Sequence, residues 1–178
     1  MSKPLQHFVP LARWLHWSMA LALLAMLFIG AGMVASVSAR HQWLVQVHKP
    51  LGIALLALAV IRLTVRLSTR QPPLPANLPL VQVLAAKGSH LLLYGLMLSL
   101  PLLGWAMLSA AGDPIDLGAG VRLPPLLAPD ASTFAWLRSA HGYLAYLLFL
   151  TVLAHLAAAL YHGLIRRDGV LRSMARGR

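Results

Sequence analysis

The sequence predicts an all-α membrane protein, a bundle of four transmembrane helices. Hydrophobic residues make up 59% of the 178 residues and charged residues only 11%. A soluble domain has about 25% charged residues and could not bury this much apolar surface in one core. Four apolar segments are each long enough to cross a bilayer, for which about 20 residues suffice. Only helices or closed barrels satisfy the backbone in lipid, and the period-two alternation of barrel strands is absent.

The four segments and their connections define one integral-membrane domain over residues 1–178. None of the segments contains an acidic residue. The proline-rich run Gln71–Pro75 ends the second helix near the lipid headgroups, because proline cannot continue a helix. A loop rich in glycine and proline, at about 110–133, connects the last two helices. The predicted helices are about 14–37, 43–65, 81–109 and 134–165.

The basic residues predict that both chain termini lie in the cytoplasm. In that orientation eleven lysines and arginines face the cytoplasm and four face the other side, as the positive-inside rule requires. The net charge of +11 is then a topology signal and not a sign of nucleic-acid binding. We expect a multi-pass membrane protein. The first helix is longer than the 7–15 apolar residues of a signal sequence and carries a histidine, so we expect it not to be cleaved.

Missing residue types exclude several kinds of site. The chain has no cysteine and no glutamate, and its four aspartates lie outside the apolar segments. Disulfides, iron–sulfur clusters, covalently attached c-type haem and carboxylate-rich di-iron sites are therefore excluded. Zinc and copper lack their usual thiolate and carboxylate ligands. The eight histidines are the main chemical groups that remain, and an ionisable residue inside a membrane usually marks function.

His141 and His155 lie fourteen residues apart on the fourth predicted helix. Fourteen residues come within about 40° of four full turns, so both rings face the same side, about 21 Å apart along the axis. Two haems stacked in a helical bundle need one axial ligand at each of two depths, as this spacing provides. A haem iron with two histidine ligands has no open coordination position and passes electrons without binding a substrate at the metal.

Each of these histidines needs a partner at the same depth on another helix. His48 is at the level of His141, whereas both His16 and His90 reach the level of His155. A haem plane needs space one turn away from its ligand. The residues four positions after His16, His48, His141 and His155 are all small: Ala20, Gly52, Ala145 and Ala159. Tyr94 occupies that position after His90, which favours His16 without deciding the question.

Basic residues near the helix ends are candidate partners for haem propionates, because carboxylates pair well with cations. Their alternative role is as topology signals whose long side chains reach the membrane surface. The candidates are Arg13, Lys87 and Arg166 at the cytoplasmic end, and Lys49 and Arg138 at the periplasmic end.

Short histidine-centred motifs follow one another along nearly the whole chain. They are Leu15-His16-Trp17, Val47-His48-Lys49-Pro50-Leu51-Gly52, Gly88-Ser89-His90, Ala140-His141-Gly142-Tyr143 and His155–His162. This ordered set resembles the prokaryotic cytochrome b561 family. The resemblance implies two haem b groups, with iron ligands His16 and His155 on the cytoplasmic side and His48 and His141 on the periplasmic side. Relatives often carry Lys-His-His where this chain has Tyr161-His162-Gly163, so no role is transferred to that run.

The resemblance also implies electron transfer across the membrane to ubiquinone or another quinone, with superoxide as a donor oxidised at the periplasmic face. We expect a quinone site near the cytoplasmic haem, formed by His90, Tyr94, Lys87 and His162. Expected partners are membrane lipid, a quinone and a small anionic or protein electron donor, with the chain acting alone or as a homodimer. The alternative function is a membrane anchor that conducts electrons for a dehydrogenase or hydrogenase complex. A haem-free transporter is disfavoured, because the sequence has no internal repeats or broken half-helices.

Overall fold

The protein is described by a computed structural model that covers residues 7–75, 78–118 and 120–176. Its four long helices are α1 (Pro10–Val34), α2 (Ala39–Ser68), α3 (Leu80–Ala110) and α4 (Ala131–Leu160). A π-helical turn, Tyr161–Arg166, continues α4, and a short helix α5 (Val170–Ala175) follows. All four long helices are sufficiently long and apolar to cross a membrane. The predicted all-α four-helix fold is therefore confirmed.

Three of the long helices begin earlier than the apolar pattern predicts. α1 starts at Pro10, α2 at Ala39 and α4 at Ala131, in place of about 14, 43 and 134. Apolarity marks only the lipid-embedded part of a helix, whereas the helix itself continues until a residue caps it or interrupts it. Proline at the first position of α1 is such a start, because the amide that it lacks would be unpaired there in any case.

The helices pack in chain order, α1 on α2, α2 on α3 and α3 on α4. The first and last described segments therefore lie at one end of the bundle, where the Phe8 amide donates a hydrogen bond to the Ser173 carbonyl, 3.4 Å away. We call this the terminal end. The opposite end, which carries residues 111–130 between α3 and α4, is called the loop end.

The bundle is held together by a mid-height core of apolar side chains. Its outer surface is also apolar: Leu21, Phe28, Leu91 and Leu150 are each more than 60% exposed. Such a surface suits contact with lipid and not with water. The buried core residues are Met19, Leu23, Leu55, Ala59, Leu93, Leu96, Leu100 and Leu148.

The long loop is fixed to α3 by side-chain hydrogen bonds. Trp105 donates its indole N–H to the Pro124 carbonyl at 2.9 Å, and the Ser109 hydroxyl accepts the Leu126 amide at 3.0 Å. Asp130 then caps α4 by accepting the Thr133 amide at 2.7 Å. Hydrogen bonds from Thr133 and from the Ser132 hydroxyl lower the pKa of the Asp130 carboxyl from 3.8 to about 2. The loop end is thus a defined surface across the tops of α3 and α4.

Candidate functional site: two pairs of histidines

The loop-end pair consists of His48 on α2 and His141 on α4. Their ring centroids are 6.2 Å apart and their planes are inclined by 65°. The Nδ1 atoms of both rings are buried and, within the described residues, have no hydrogen-bond partner. An unsatisfied buried polar atom is costly, so two of them in neighbouring rings call for an explanation such as a ligand or a function.

Two of the residues next to this pair are glycines, which leave room beside the rings. A Cβ atom added to Gly104 on α3 would lie 3.3 Å from the His141 Cε1 atom and 3.6 Å from its Nδ1 atom. One turn after His48, a Cβ atom on Gly52 would meet only the end of the Met26 side chain, at 3.8 Å. The role of Gly104 was not predicted from the sequence, because the contact joins α3 to α4.

Towards the terminal end, His155 has an imidazole neighbour from each of two other helices. The ring centroids of His16 and His155 are 6.4 Å apart, with an interplanar angle of 71°. His90 approaches His155 from α3, at 5.6 Å between centroids and 59° between planes. The structure therefore brings both predicted partners of His155 next to it.

The two levels share one helix and one spacing. His141 and His155 both belong to α4, and each faces an imidazole from another helix at 6.2 or 6.4 Å. Metal–imidazole bonds of about 2.0 Å place two rings on opposite sides of one ion roughly 6 Å apart between centroids. Among the described residues, no group of three or more histidine or aspartate side chains could hold a metal ion. Two imidazoles per level suit haem iron, because the porphyrin provides the other four nitrogen ligands.

The predicted propionate partners have different surroundings. Lys49 donates to the Asp113 carboxylate at 2.6 Å, and Arg166 donates to the Gln82 side chain at 2.7 Å. Lys87 and Arg138 are exposed. Arg13 keeps a buried Nε atom without a hydrogen-bond partner among the residues that the structure describes. Of the five, Arg13 is thus the one with a buried donor atom left over for a ligand.

The four residues predicted to form a quinone site are divided between two places. His90 and Tyr94 lie one turn apart on α3, and the Tyr94 hydroxyl is buried without a hydrogen-bond partner among the described residues. His162, in the π-helical turn, places its Nδ1 atom 2.6 Å from the Asp168 carboxylate, and Lys87 is exposed. The structure supports His90 and Tyr94 as neighbours but shows no contact from them to the other two.

Sequence reasoning gave no chemical role to Arg62 and Arg66, which the structure places beside this cluster. Arg62 donates from Nη1 to the Ala12 carbonyl at 3.0 Å. The Arg66 guanidinium lies 5.8 Å from the centroid of the Tyr94 ring. A signal was available, since these arginines are one turn apart in a helix that contains no acidic residue. They were interpreted only as topology signals.

Four transmembrane helices with paired imidazoles at two depths define a membrane-bound cytochrome. The family model described as prokaryotic cytochrome b561 matches residues 7–177, and the chain belongs to this family. It is accordingly a haem-b-binding protein of membrane electron transfer. The resemblance seen in the histidine motifs is confirmed.

Curated relatives agree with this assignment. The chain is 31% identical over 163 residues to "Cytochrome b561 homolog 2" of Escherichia coli (strain K12), covering 89% of this chain and 86% of the relative. It is 30% identical over 129 residues to "Cytochrome b561 homolog 1" of the same organism, covering 72% and 73%. It is also 29% identical over 133 residues to "Probable superoxide oxidase CybB" of Yersinia pestis, covering 74% of each chain.

Proposed function

We propose that the protein is a dihaem cytochrome that carries electrons across the bacterial inner membrane to a quinone. One observation carries the proposal: both histidines of α4 face an imidazole from another helix at nearly equal centroid distances, 6.2 and 6.4 Å. The fourteen-residue spacing along α4 separates the two levels by about 21 Å, which suits an electron hop between two centres within one bilayer.

Haem b, when bound, supplies a one-electron couple at an iron without an open coordination position. His48 and His141 would hold the haem at the loop end, and His16 and His155 the one at the terminal end. The centroid distance favours His16 over His90, because 6.4 Å matches the loop-end pair and 5.6 Å is shorter. Ala20 and Ala159, one turn beyond His16 and His155, are small residues that would leave space for the macrocycle.

Superoxide is the donor that we propose at the loop end. Two superoxide anions, one quinone and two protons would give two dioxygen molecules and one quinol, so charge and electrons balance. A relative at 29% identity is named a probable superoxide oxidase. Arg40 and Arg138 are exposed at this end and lie outside the ion pairs found among the described residues, so they could attract an anion locally.

Quinone reduction would take place at the terminal end, where the positive-inside rule puts the cytoplasm. His90 lies against His155, and the buried Tyr94 hydroxyl has a hydrogen-bonding position to offer. We propose that these two side chains hydrogen-bond the quinone oxygens and pass it protons. Lys87 and His162 stay in the proposed site as groups that could deliver protons from the surface.

The test is the optical spectrum and the pyridine-haemochrome assay of the purified full-length protein. We expect two haem b per chain. The loop-end haem should be lost in both His48→Ala and His141→Ala. The terminal-end haem should be lost in both His16→Ala and His155→Ala. His41→Ala is the matched control, because this α2 histidine bonds the Met33 carbonyl at 2.9 Å and lies outside both pairs. A colourless protein, or two haems retained after both α4 substitutions, would refute the proposal.

A further inference from the structure

Arg62 and Arg66 carry two positive charges at the terminal end without a carboxylate partner among the described residues. All four aspartates of the chain are described. Asp113, Asp116 and Asp130 belong to the loop end, and Asp168 is engaged by His162 and Arg166. Charged groups within a membrane protein normally face a partner or a polar cavity, because an unpaired charge there is costly.

The contacts of the two arginines supply no negative charge. Arg62 uses one guanidinium N–H to bond the Ala12 carbonyl, out of five that an arginine can donate. Arg66 lies over the Tyr94 ring, which orients the guanidinium, and within the described part of the chain its N–H groups have no hydrogen-bond partner. Both side chains are only partly exposed. Together they retain most of their donors for a ligand.

The place of Arg62 and Arg66 near the terminal-end histidines indicates which ligand they could bind. Arg62 bonds Ala12, which lies one turn before His16 on α1. Arg66 lies against Tyr94, one turn after His90, and His90 in turn contacts His155. The two arginines line a small cavity together with Gln71 and Tyr94, which Phe8 and Met174 also border. An anion at this place would be adjacent to whatever His16 and His155 hold.

We propose that Arg62 and Arg66 form the carboxylate-binding site for the propionates of the terminal-end haem. The inference rests on the proposed function, since that haem provides the carboxylates. A planar guanidinium can bind a carboxylate through two parallel hydrogen bonds, and haem b has two propionates for the two arginines. Arg13, whose buried Nε atom has no hydrogen-bond partner among the described residues, adjoins Ala12 in the sequence.

The test is an optical redox titration of each haem in the full-length, haem-loaded protein. Arg62→Gln and Arg66→Gln should lower the midpoint potential of the terminal-end haem alone, because losing a nearby positive charge stabilises the oxidised iron relative to the reduced iron. The propionates should then titrate with pH, which makes that potential pH-dependent. Transfer of this haem to apomyoglobin should become roughly tenfold faster, corresponding to about 1.4 kcal/mol. Arg62→Lys keeps the positive charge but cannot form two parallel hydrogen bonds to a carboxylate. Its midpoint potential and haem-transfer rate should lie between those of the wild type and Arg62→Gln.

Arg70→Gln is the matched control, since Arg70 follows the same helix but is exposed, and it should leave both haems unchanged. The loop-end haem reports folding within each variant. If the Arg62→Gln variant loses the loop-end haem, it has not folded properly. The question is then decided by the Arg66→Gln and Arg62→Lys variants. Unaltered potentials, or equal shifts of both haems, would overturn this site while leaving the dihaem function intact. A wild-type protein without haem would overturn both.

Discussion

His48 and His141 face each other at 6.2 Å between helices α2 and α4, which are not consecutive in the packing order of the bundle. The two rings therefore meet across the interior of the bundle, where the distance between them depends on the side chains that surround them. Gly104 of α3 borders the same space. The loop-end pair is thus shaped by three helices and should be sensitive to volume added by any of them.

Gly104→Ala should reduce occupancy of the loop-end haem. The new methyl group would lie 3.3 Å from His141, so the ring must move by a few tenths of an ångström. Overpacking of this kind typically costs about 1–3 kcal/mol. Haem stoichiometry and the spectrum of the loop-end haem measure the effect. Gly95→Ala, in the same helix and with nothing within 4 Å of the added atom, should retain both haems. Equal behaviour of the two variants would contradict the role of Gly104.

His90→Phe should distinguish a quinone-binding role from an axial one. If His16 is the ligand, the variant keeps both haem spectra, but its reduced form is reoxidised by a ubiquinone analogue at least several-fold more slowly. Stopped-flow absorbance under anaerobic conditions provides the rate. Unchanged quinone reduction would refute the proposed role of His90. Loss of the terminal-end haem would instead identify His90 as its ligand.

The histidine arrangement was largely predictable from the sequence, whereas its surroundings were not. Fourteen residues on one helix fix the shared face of His141 and His155 by geometry alone. The contact between His90 and His155 depends on how α3 is rotated about its own axis, and helix packing determines that rotation. The pairing of Lys49 with Asp113 joins residues 64 positions apart, and no local pattern indicates it.

The end of α4 also escaped prediction, for a related reason. Residues 161–166 form a π-helical turn and α5 folds back beyond it, where a simple helix end was expected at about 165. A Cβ atom on Gly163 would lie too close to the end of the Leu171 side chain, which would have to shift, so α5 packs closely against this turn. Arg167 and Gly169 adopt left-handed conformations that reverse the chain. These features depend on tertiary contacts that hydropathy does not report.

Asp130 should make stability dependent on pH in the acidic range. Its pKa is lowered from 3.8 to about 2 by the Thr133 and Ser132 hydrogen bonds, so the folded state favours the ionised carboxyl. The stabilisation is present in full above about pH 4 and disappears as the pH falls through about 2. Asp130→Asn keeps a capping side chain without the ionisation. Thermal unfolding in detergent should show a difference in Tm between wild type and variant near neutral pH that closes towards pH 2. A difference independent of pH would contradict this account.

Arg40→Gln combined with Arg138→Gln should slow reduction of the haems by superoxide. Both arginines are exposed at the loop end, and local attraction of an anion weakens when their charge is removed. We expect a several-fold lower rate at low ionic strength and a smaller difference at high salt, because salt screens exposed charges. Arg172→Gln, exposed on α5 at the terminal end, is the control. If an uncharged reductant also reduced the double variant more slowly, and by the same factor, electrostatic attraction of superoxide would not be the cause.

The placement of His141 and His155 in one uninterrupted helix has a consequence for how the protein tolerates different bilayers. The interval between them is a length of hydrogen-bonded backbone, which stretches very little. Thinner or thicker lipid could tilt the helices or slide their neighbours, yet the hop length would stay nearly constant. Tunnelling falls steeply with distance, so in the proposed dihaem protein α4 would act as a spacer of fixed length, and the rate of electron transfer between the haems would change little from one membrane to another.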